Sequence, residues 1–275
     1  MLLAAPDIWF IAPLLMGLGG LTGFLAGMLG IGGGIILVPC LYYMLSQLQF
    51  PQGELMHMAI GTSHAIIVVT AISSARAHWK RGNVDPFLLK GIGPGIVCGV
   101  TIATFIASGL NSTALKILFA VIIAGLAVVM MADAERFRFL RTSPGRAIHT
   151  VAGMIIGGIA AILGIGGAVL SVPYMTQCHT SIRRAVGTAS ALGLFIAIPA
   201  TLGFILIGLD TAGRPPYSIG FVNIPAWALI APFSVLCAPW GTRVAHNLPV
   251  KRLQRIFAII MILVSANMMF DVLNG

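Results

Sequence analysis

Charged side chains are scarce in this sequence. Only 8% of its 275 residues are Asp, Glu, Lys or Arg, whereas a typical soluble domain carries about 25%. Hydrophobic residues make up 58% of the chain. So few charges cannot cover the surface of a water-soluble globule, and the composition excludes a cytosolic enzyme, a nucleic-acid-binding domain and a disordered protein. The long apolar runs without charge instead indicate a helical integral membrane protein.

Motifs for metal ions and disulfides are also missing. The chain has four cysteines, none in a C-x-x-C pair, and all lie within or at the ends of apolar segments. We interpret them as small buried side chains. No Asp or Glu lies in the middle of an apolar run, which argues against a cationic substrate and favours an anionic or neutral one. The sequence therefore predicts no metal site and no cofactor.

Eight apolar runs are long enough to span a bilayer. Two shorter runs, residues 33–47 and 168–178, directly follow the first and the fifth. Because adjacent glycines disfavour a helix by about 1 kcal/mol each relative to alanine, the chain is expected to break at Gly32–Gly34 and turn back. The eight long runs cover residues 8–30, 58–76, 86–109, 113–133, 147–165, 186–208, 222–244 and 252–273.

Two motifs each occur twice along the chain. L-G-I-G-G-G-I-I-L-V-P begins at Leu29 and L-G-I-G-G-A-V-L-S-V-P begins at Leu163, with seven of eleven positions identical. A second motif, A-I-G-T-S-H-A from Ala59, matches A-V-G-T-A-S-A from Ala185. The sequence thus predicts two transmembrane repeats, residues 1–133 and 147–275, joined by a cytoplasmic linker at residues 134–146.

The basic residues indicate how these repeats are oriented. With four crossings in each repeat the basic loops would fall on both sides of the membrane, whereas five crossings place them on one side, as the positive-inside rule requires. An odd number of crossings makes the repeats inverted, with both termini outside. The opposite side then carries almost only Lys116 and Arg214, at its boundaries. The basic residues that share one side are Arg76, Lys80, Arg81, Arg136, Arg138, Arg141, Arg146, Arg183, Arg184, Arg243, Lys251, Arg252 and Arg255.

The predicted fold is therefore an all-α integral membrane protein. It has two inverted repeats of about five transmembrane segments each, and the first helix of each repeat is broken at a Gly-rich motif. The second short run has about 11 residues, fewer than the ~17 that a crossing needs. Whether the two short segments cross fully or are re-entrant stays open.

Inverted repeats with broken helices are typical of secondary transporters. A helix that starts at such a break presents unpaired backbone N–H groups and the positive end of its dipole, and both attract an anion. Close packing of small residues between helices is the alternative explanation for the glycines. The backbone candidates for anion binding are Gly32, Gly33, Gly34, Gly166, Gly167 and Ala168.

The second motif supplies hydroxyl groups and one imidazole. Hydroxyls can donate to an oxyanion without bringing a fixed charge into the bilayer. His64 lies well inside a predicted span, and an ionisable group there is a functional candidate, either as an anion contact or as the carrier of a coupled proton. The alternatives are hydroxyls that bond to their own helix and a neutral, packed imidazole. The hydroxyl candidates are Thr62, Ser63, Thr188 and Ser190.

The motifs resemble those of a known family. The pattern G-x-x-x-G-x-L-G-I-G-G-G-x-x-x-V-P from Gly23 to Pro39, its echo ending at Pro173 and the paired second motif resemble the sulfite exporter TauE/SafE family, also called the toluene sulfonate uptake permease family. The resemblance covers essentially the whole chain. It implies a bacterial or archaeal inner-membrane protein that transports sulfite or an organosulfonate such as sulfoacetate. The expected partners are this small anion and the lipid bilayer, without nucleic acid, and a homodimer is left open.

The resulting hypothesis is a secondary transporter that works by alternating access, with proton coupling through His64 as an option. An anion channel of the same fold and a membrane assembly subunit without transport are the alternatives. The sequence has no G-x-S-G nucleophile motif, no H-E-x-x-H pair and no paired intramembrane carboxylates, so an enzyme is not expected.

Overall fold

The described part of the chain forms ten α-helices that follow the predicted apolar runs. A computed structural model describes residues 8–29, 33–48, 50–131, 144–211, 217–245 and 250–274, so most of the predicted linker lies outside it. The helices are α1 Ile8–Leu29, α2 Gly34–Gln47, α3 Leu55–Lys80, α4 Pro86–Ser108, α5 Ser112–Met131, α6 Arg146–Leu163, α7 Ala168–Gln177, α8 Ile182–Gly208, α9 Ile224–Ala245 and α10 Val250–Asn274.

Two small elements were not predicted. A 3₁₀ turn at Gln52–Glu54 precedes α3. Two antiparallel strands, β1 Ser218–Ile219 and β2 Val222–Asn223, precede α9. Each strand has only two residues, which is too short for an alternating pattern to show in the sequence.

The helix lengths confirm a multi-pass, all-α membrane protein. Within the described residues, seven helices are long and apolar enough to cross a bilayer. The helices α2 and α7 are shorter, with 14 and 10 residues. At 1.5 Å per residue they extend ~21 Å and ~15 Å, less than the ~30 Å of a hydrocarbon core. As helices alone, these two segments do not span the bilayer.

The structure confirms both predicted helix breaks. The first repeat has α1 ending at Leu29 and α2 beginning at Gly34. The second has α6 ending at Leu163, followed by Gly164 in the left-handed conformation with φ 63°, where glycine is the favoured residue. The next helix, α7, then begins at Ala168.

Glycines join the first helix of each half to the fourth helix of the other half. A Cβ atom at Gly23 of α1 would overlap the carbonyl oxygen of Ser234 of α9, and one at Gly153 of α6 would overlap that of Ile92 of α4. Other glycines along α1 and α6 also lie against the backbone of α9 and α4. In both helix pairs the numbers of the contacting residues rise together, so the paired helices run parallel. Backbones this close require glycine, so packing is the role of these positions.

Two other pairs run antiparallel. At the centre, α3 crosses α8, with Gly61 beside Phe204 at one end and Ser74 hydrogen-bonded to Ser190 at the other. At one side, α5 packs along α10, where Lys116 is ion-paired with Asp271 and the Ser265 hydroxyl donates to the carbonyl of Ala120. In each of these pairs, the residue numbers rise on one helix as they fall on the other.

Candidate functional site

The two glycine breaks lie against each other. Gly33, the residue before α2, has φ 70° and is therefore left-handed, a conformation that favours glycine. A Cβ atom at Gly34 would overlap the carbonyl oxygen of Gly164 and lie 2.7 Å from the Cα atom of Ile165. The start of α2 thus touches the turn that follows α6. Gly32, also predicted at this site, lies outside the described residues.

The starts of α2 and α7 have the same hydrogen-bond pattern. The Gly167 carbonyl accepts from the amides of Leu170 and Ser171 at 3.2 and 2.8 Å, and the Gly33 carbonyl makes the equivalent bonds to the third and fourth amides after it. Amides that come earlier in each helix have no partner inside the helix. Together with the positive end of the helix dipole, they make each break attractive to an anion.

Ser63 and His64 also lie at the meeting point, on α3. The Ser63 hydroxyl donates to the carbonyl of Gly164 at 2.7 Å. His64 Nε2 donates to the carbonyl of Ala161, in the last turn of α6, at 3.0 Å. The His64 side chain is fully buried, and its ring stacks 6.2 Å from that of Phe204. In this conformation both side chains donate to the end of α6.

Thr62 and Thr188 hold the starts of two other helices. The Thr62 hydroxyl oxygen accepts from the amide of Asn223 at 2.9 Å, and that of Thr188 accepts from the amide of Asp85 at 2.8 Å. Asn223 and Asp85 are themselves N-caps, because the Asn223 side chain accepts from the amide of Ala226 and the Asp85 side chain from amides of the first turn of α4. The threonines thus have equivalent roles in the two halves.

The glycine before each threonine explains the close approach. A Cβ atom at Gly61 would lie 2.7 Å from the carbonyl oxygen of Phe221, and one at Gly187 would overlap the carbonyl oxygen of Asn83. The repeated Gly-Thr pair therefore docks the loop that precedes α9 in one half and the loop that precedes α4 in the other.

Ser190 lies apart from His64, beside a small cavity. Its hydroxyl donates to the carbonyl of Val186 at 3.0 Å and accepts from the hydroxyl of Ser74 at 3.2 Å. The cavity has a volume of about 20 Å³ and is also lined by Thr70 and Gly166. Such a volume holds about one water molecule. Sequence reasoning missed Thr70 and Ser74, although both lie on the same face of α3 as Ser63, at helical spacing.

Comparison with known proteins shows the family of the chain. The family model for the sulfite exporter TauE/SafE matches residues 15–268, nearly the whole chain. The chain belongs to this family. A relative from Haemophilus influenzae, named a probable membrane transporter protein, is 33% identical over 91% of this chain and 95% of its own length. One from Methanocaldococcus jannaschii with the same description is 26% identical over 90% and 91%.

Membership of the TauE/SafE family, with relatives named probable membrane transporter proteins, makes the chain a membrane transporter. No solved structure matches the sequence. Among the described residues, no three His, Cys, Asp or Glu side chains come close enough to hold a metal ion. The polar groups described where the two breaks meet are backbone atoms of the breaks, the Ser63 hydroxyl and the His64 imidazole.

A second, wider depression of about 390 Å³ opens where the loops before α4 and α8 meet. Asp85 and Arg184 form an ion pair across it at 3.3 Å, and the Arg184 side chain is 54% exposed. Phe87 and residues 178–181 complete its wall. It is wider than the cavity beside Ser190, and its lining carries one positive and one negative side chain, which are paired with each other.

Proposed function

We propose that the chain is a secondary transporter that moves sulfite or an organosulfonate, such as sulfoacetate, across the inner membrane by alternating access. The contact between Gly34 and the Gly164–Ile165 turn carries this proposal, because it brings both helix breaks to one place. Discontinuous helices with opposed starts are the usual substrate site of transporters built from repeats.

The anion lies between the two breaks, held by backbone N–H groups. These amides come from Gly32–Gly34 in one half and from Gly166–Ala168 in the other. Thr62, Ser63, Thr188 and Ser190 supply hydroxyl donors when their present bonds rearrange. His64 contacts the anion or carries a coupled proton, once its bond to the carbonyl of Ala161 opens.

The helix packing supports two inverted repeats, residues 1–133 and 147–275, with the linker 134–146 between them. The third helices of the two halves, α3 and α8, run antiparallel, and so do the fifth helices, α5 and α10. Four crossings in each half would make each of these pairs parallel, whereas five make them antiparallel. Repeats of opposite orientation can exchange conformations, which is the basis of alternating access.

The basic residues give the proposed orientation. Arg76 and Lys80 lie near the end of α3, while Arg146 and Arg184 lie at or near the starts of α6 and α8. With five crossings per repeat, these ends share one side, which the positive-inside rule assigns to the cytoplasm. Both termini are then outside, in the inner membrane of a bacterial or archaeal cell.

The closed centre favours a transporter over an anion channel. The glycine breaks are in contact and the cavity beside Ser190 holds about one water molecule, which is less than a sulfur oxyanion needs. The halves must therefore move apart for the anion to enter. A channel of the same fold would instead give unitary currents in a planar bilayer.

Flux measurements in proteoliposomes test the glycine site. Gly167→Leu places a bulky side chain at the start of α7, so we expect uptake of sulfite and sulfoacetate to fall about tenfold or more relative to wild type. Gly125→Leu on α5 is the matched control, because a Cβ atom there meets no other atom within 4 Å. Thermal unfolding in detergent identifies the variants that fold.

Normal flux in a folded Gly167→Leu variant contradicts the glycine site. Absence of flux in wild type, across a panel of sulfur oxyanions and organosulfonates, contradicts transport of this class of anion. Proton coupling is tested separately with a pH gradient imposed across the same vesicles. If the gradient neither drives nor alters flux, His64 has no role in coupling.

A further inference from the structure

The polar side chains around the cavity beside Ser190 are all hydroxyls. Apart from apolar atoms, the groups that line it are the hydroxyls of Thr70, Ser74 and Ser190 and the backbone of neighbouring residues. Thr70 and Ser190 are 3% and 4% exposed, so these oxygen atoms are shielded from bulk solvent. None of the described lining residues carries a positive charge or a side-chain N–H group.

The hydroxyl hydrogens are already used. The Thr70 hydroxyl donates to the carbonyls of Ile66 and Ile67 at 3.2 and 3.1 Å. Ser74 donates to the hydroxyl oxygen of Ser190, and Ser190 donates to the carbonyl of Val186. A hydroxyl that has donated its hydrogen has only lone pairs left to offer. The three side chains therefore present acceptors to the cavity, which suit a cation better than an anion. For Ser190, this role replaces that of a donor to the anion.

The end of α1 adds negative potential. Ala26 and Gly27 line the cavity and belong to the last turn of α1, which ends at Leu29. The carbonyl groups at the end of a helix form the negative end of its dipole. In transporters with broken helices, such C-terminal ends and unwound carbonyls bind the coupling cation.

In the second half of the molecule, the last turn of the broken helix has a side-chain hydrogen-bond donor as its partner. The repeated motifs align His64 with Ser190 and Ala161 with Gly27. At the end of α6, the N–H group of His64 donates to the carbonyl of Ala161. At the equivalent place, the shorter Ser190 leaves the cavity beside Gly27. A cation in the cavity would supply there the positive partner that the imidazole supplies at α6.

We propose that this cavity binds Na⁺, and that Thr70, Ser74 and Ser190 are its side-chain ligands, with carbonyl groups of the last turn of α1 completing the coordination. The volume of about 20 Å³ has room for one small ion in place of one water molecule. The lining lacks the carboxylates that Ca²⁺ sites use, so a monovalent ion fits the charge.

The role of the ion in transport rests on the proposed function. Gly166, which lies just before α7, also lines the cavity. Bound Na⁺ therefore lies next to the amides proposed to hold the anion, and the opposite charges attract each other. Each ion then raises the affinity for the other, which couples anion movement to a sodium gradient.

Thermal unfolding of the purified protein tests the site without any anion. At equal ionic strength, NaCl is expected to raise the unfolding temperature more than KCl or choline chloride do, because an ion that binds only the folded state stabilises it. Ser74→Ala and Thr70→Val each remove one ligand, so we expect about tenfold weaker Na⁺ affinity in the titration.

Thr101→Val is the matched control for these variants. Its hydroxyl also donates to a carbonyl of its own helix, that of Val97 at 2.9 Å, but it is exposed on the outer face of α4. It should respond to Na⁺ as wild type does. Equal stabilisation by all three salts means that water fills the cavity, and this overturns the proposal. An unchanged Na⁺ response in folded Ser74→Ala and Thr70→Val overturns it as well.

The two proposals fail separately. Sodium-specific stabilisation without flux of any sulfur anion leaves the cation site standing and removes the proposed substrate. Flux of sulfite or sulfoacetate that is the same in sodium and potassium buffers, without sodium-specific stabilisation, leaves the transporter standing and removes the cation site.

Discussion

The last turns of α6 and α1 have different neighbours, although both helices end at the same repeated motif. At α6, a buried imidazole and a serine hydroxyl donate to backbone carbonyls of Ala161 and Gly164. At α1, the aligned position holds Ser190, which bonds to its own helix and leaves a cavity. The repeat preserves the break, while the side chain opposite it has diverged. One end contacts donor side chains of the protein, and the other borders a cavity.

The loops before α9 and α4, by contrast, contact the Gly-Thr pairs in the same way in both halves. Thr62 and Thr188 make equivalent bonds to the amides of two N-cap residues, Asn223 and Asp85. Here the two halves have kept the same interaction, and only the charge of the cap differs. Polar contacts that hold the fold are thus conserved between the repeats, whereas those at the breaks are not. Substitutions at His64, at the two threonines and at Asp85 test this contrast.

The largest effect is expected for His64→Ser, which makes the α6 end resemble the α1 end. A serine is too short to reach the carbonyl of Ala161, so the change removes a buried hydrogen bond and leaves a void. We expect a loss of about 2–5 kcal/mol of unfolding free energy. Denaturant or thermal unfolding in detergent, in sodium-free buffer, measures it.

His64→Gln and Ser190→Ala are the controls for this change. Glutamine keeps a side-chain N–H donor, so the His64→Gln variant should lose less unfolding free energy than His64→Ser does. Ser190→Ala removes a hydroxyl that donates to its own helix and accepts from the partly buried Ser74, and should lower the unfolding free energy by about 1 kcal/mol or less. If His64→Ser and Ser190→Ala lower the unfolding free energy by the same amount, the last turns of α6 and α1 do not differ as described.

An intermediate effect is expected at the docked loops. Thr62→Val leaves the amide of Asn223 without its acceptor, and Asn223 is fully buried, so the loss should be about 1–3 kcal/mol. Thr188→Val should cost about 1 kcal/mol or less, because Asp85 is partly exposed and water can reach its amide.

The matched serine variants keep the hydroxyl oxygen. Thr62→Ser and Thr188→Ser should therefore stay closer to wild type than the valine variants when unfolding is followed by circular dichroism. A Thr188→Val variant that loses more stability than Thr62→Val would show that exposure does not set the difference between the loops.

Much of the fold could be predicted from the sequence. Hydropathy located all ten helices, because a bilayer demands long apolar runs, and the glycines after Leu29 and Leu163 marked both breaks. The strands Ser218–Ile219 and Val222–Asn223 could not be predicted, since two residues carry no periodic signal. Antiparallel packing of α3 and α8 agrees with the odd number of crossings that the basic residues favoured.

The candidate site was predicted less completely. Sequence motifs pointed to Ser63 and His64, which do lie at the meeting of the breaks, but could not show that both donate to the end of α6. Thr70 and Ser74 belong to no repeated motif, so only the fold of α3 against α8 brings them to Ser190. Partners across helices depend on tertiary packing, which a single sequence does not specify.

The smallest effect is expected for Asp85→Asn, which makes the loop before α4 resemble the loop before α9. Asparagine is as good an N-cap as aspartate, so the bonds to the amides of Phe87 and Leu88 are retained. What is lost is the ion pair with Arg184, whose side chain is largely exposed, and such pairs contribute about 0–1 kcal/mol.

Salt and a second variant separate the two contributions of Asp85. The difference between Asp85→Asn and wild type should vanish in ~1 M salt, where charges are screened within ~3 Å. Asp85→Ala loses the cap as well, so it should remain about 1 kcal/mol less stable at any salt concentration. If asparagine costs as much as alanine at low salt, the ion pair stabilises this loop more than the cap does, and the two docked loops are not held in the same way.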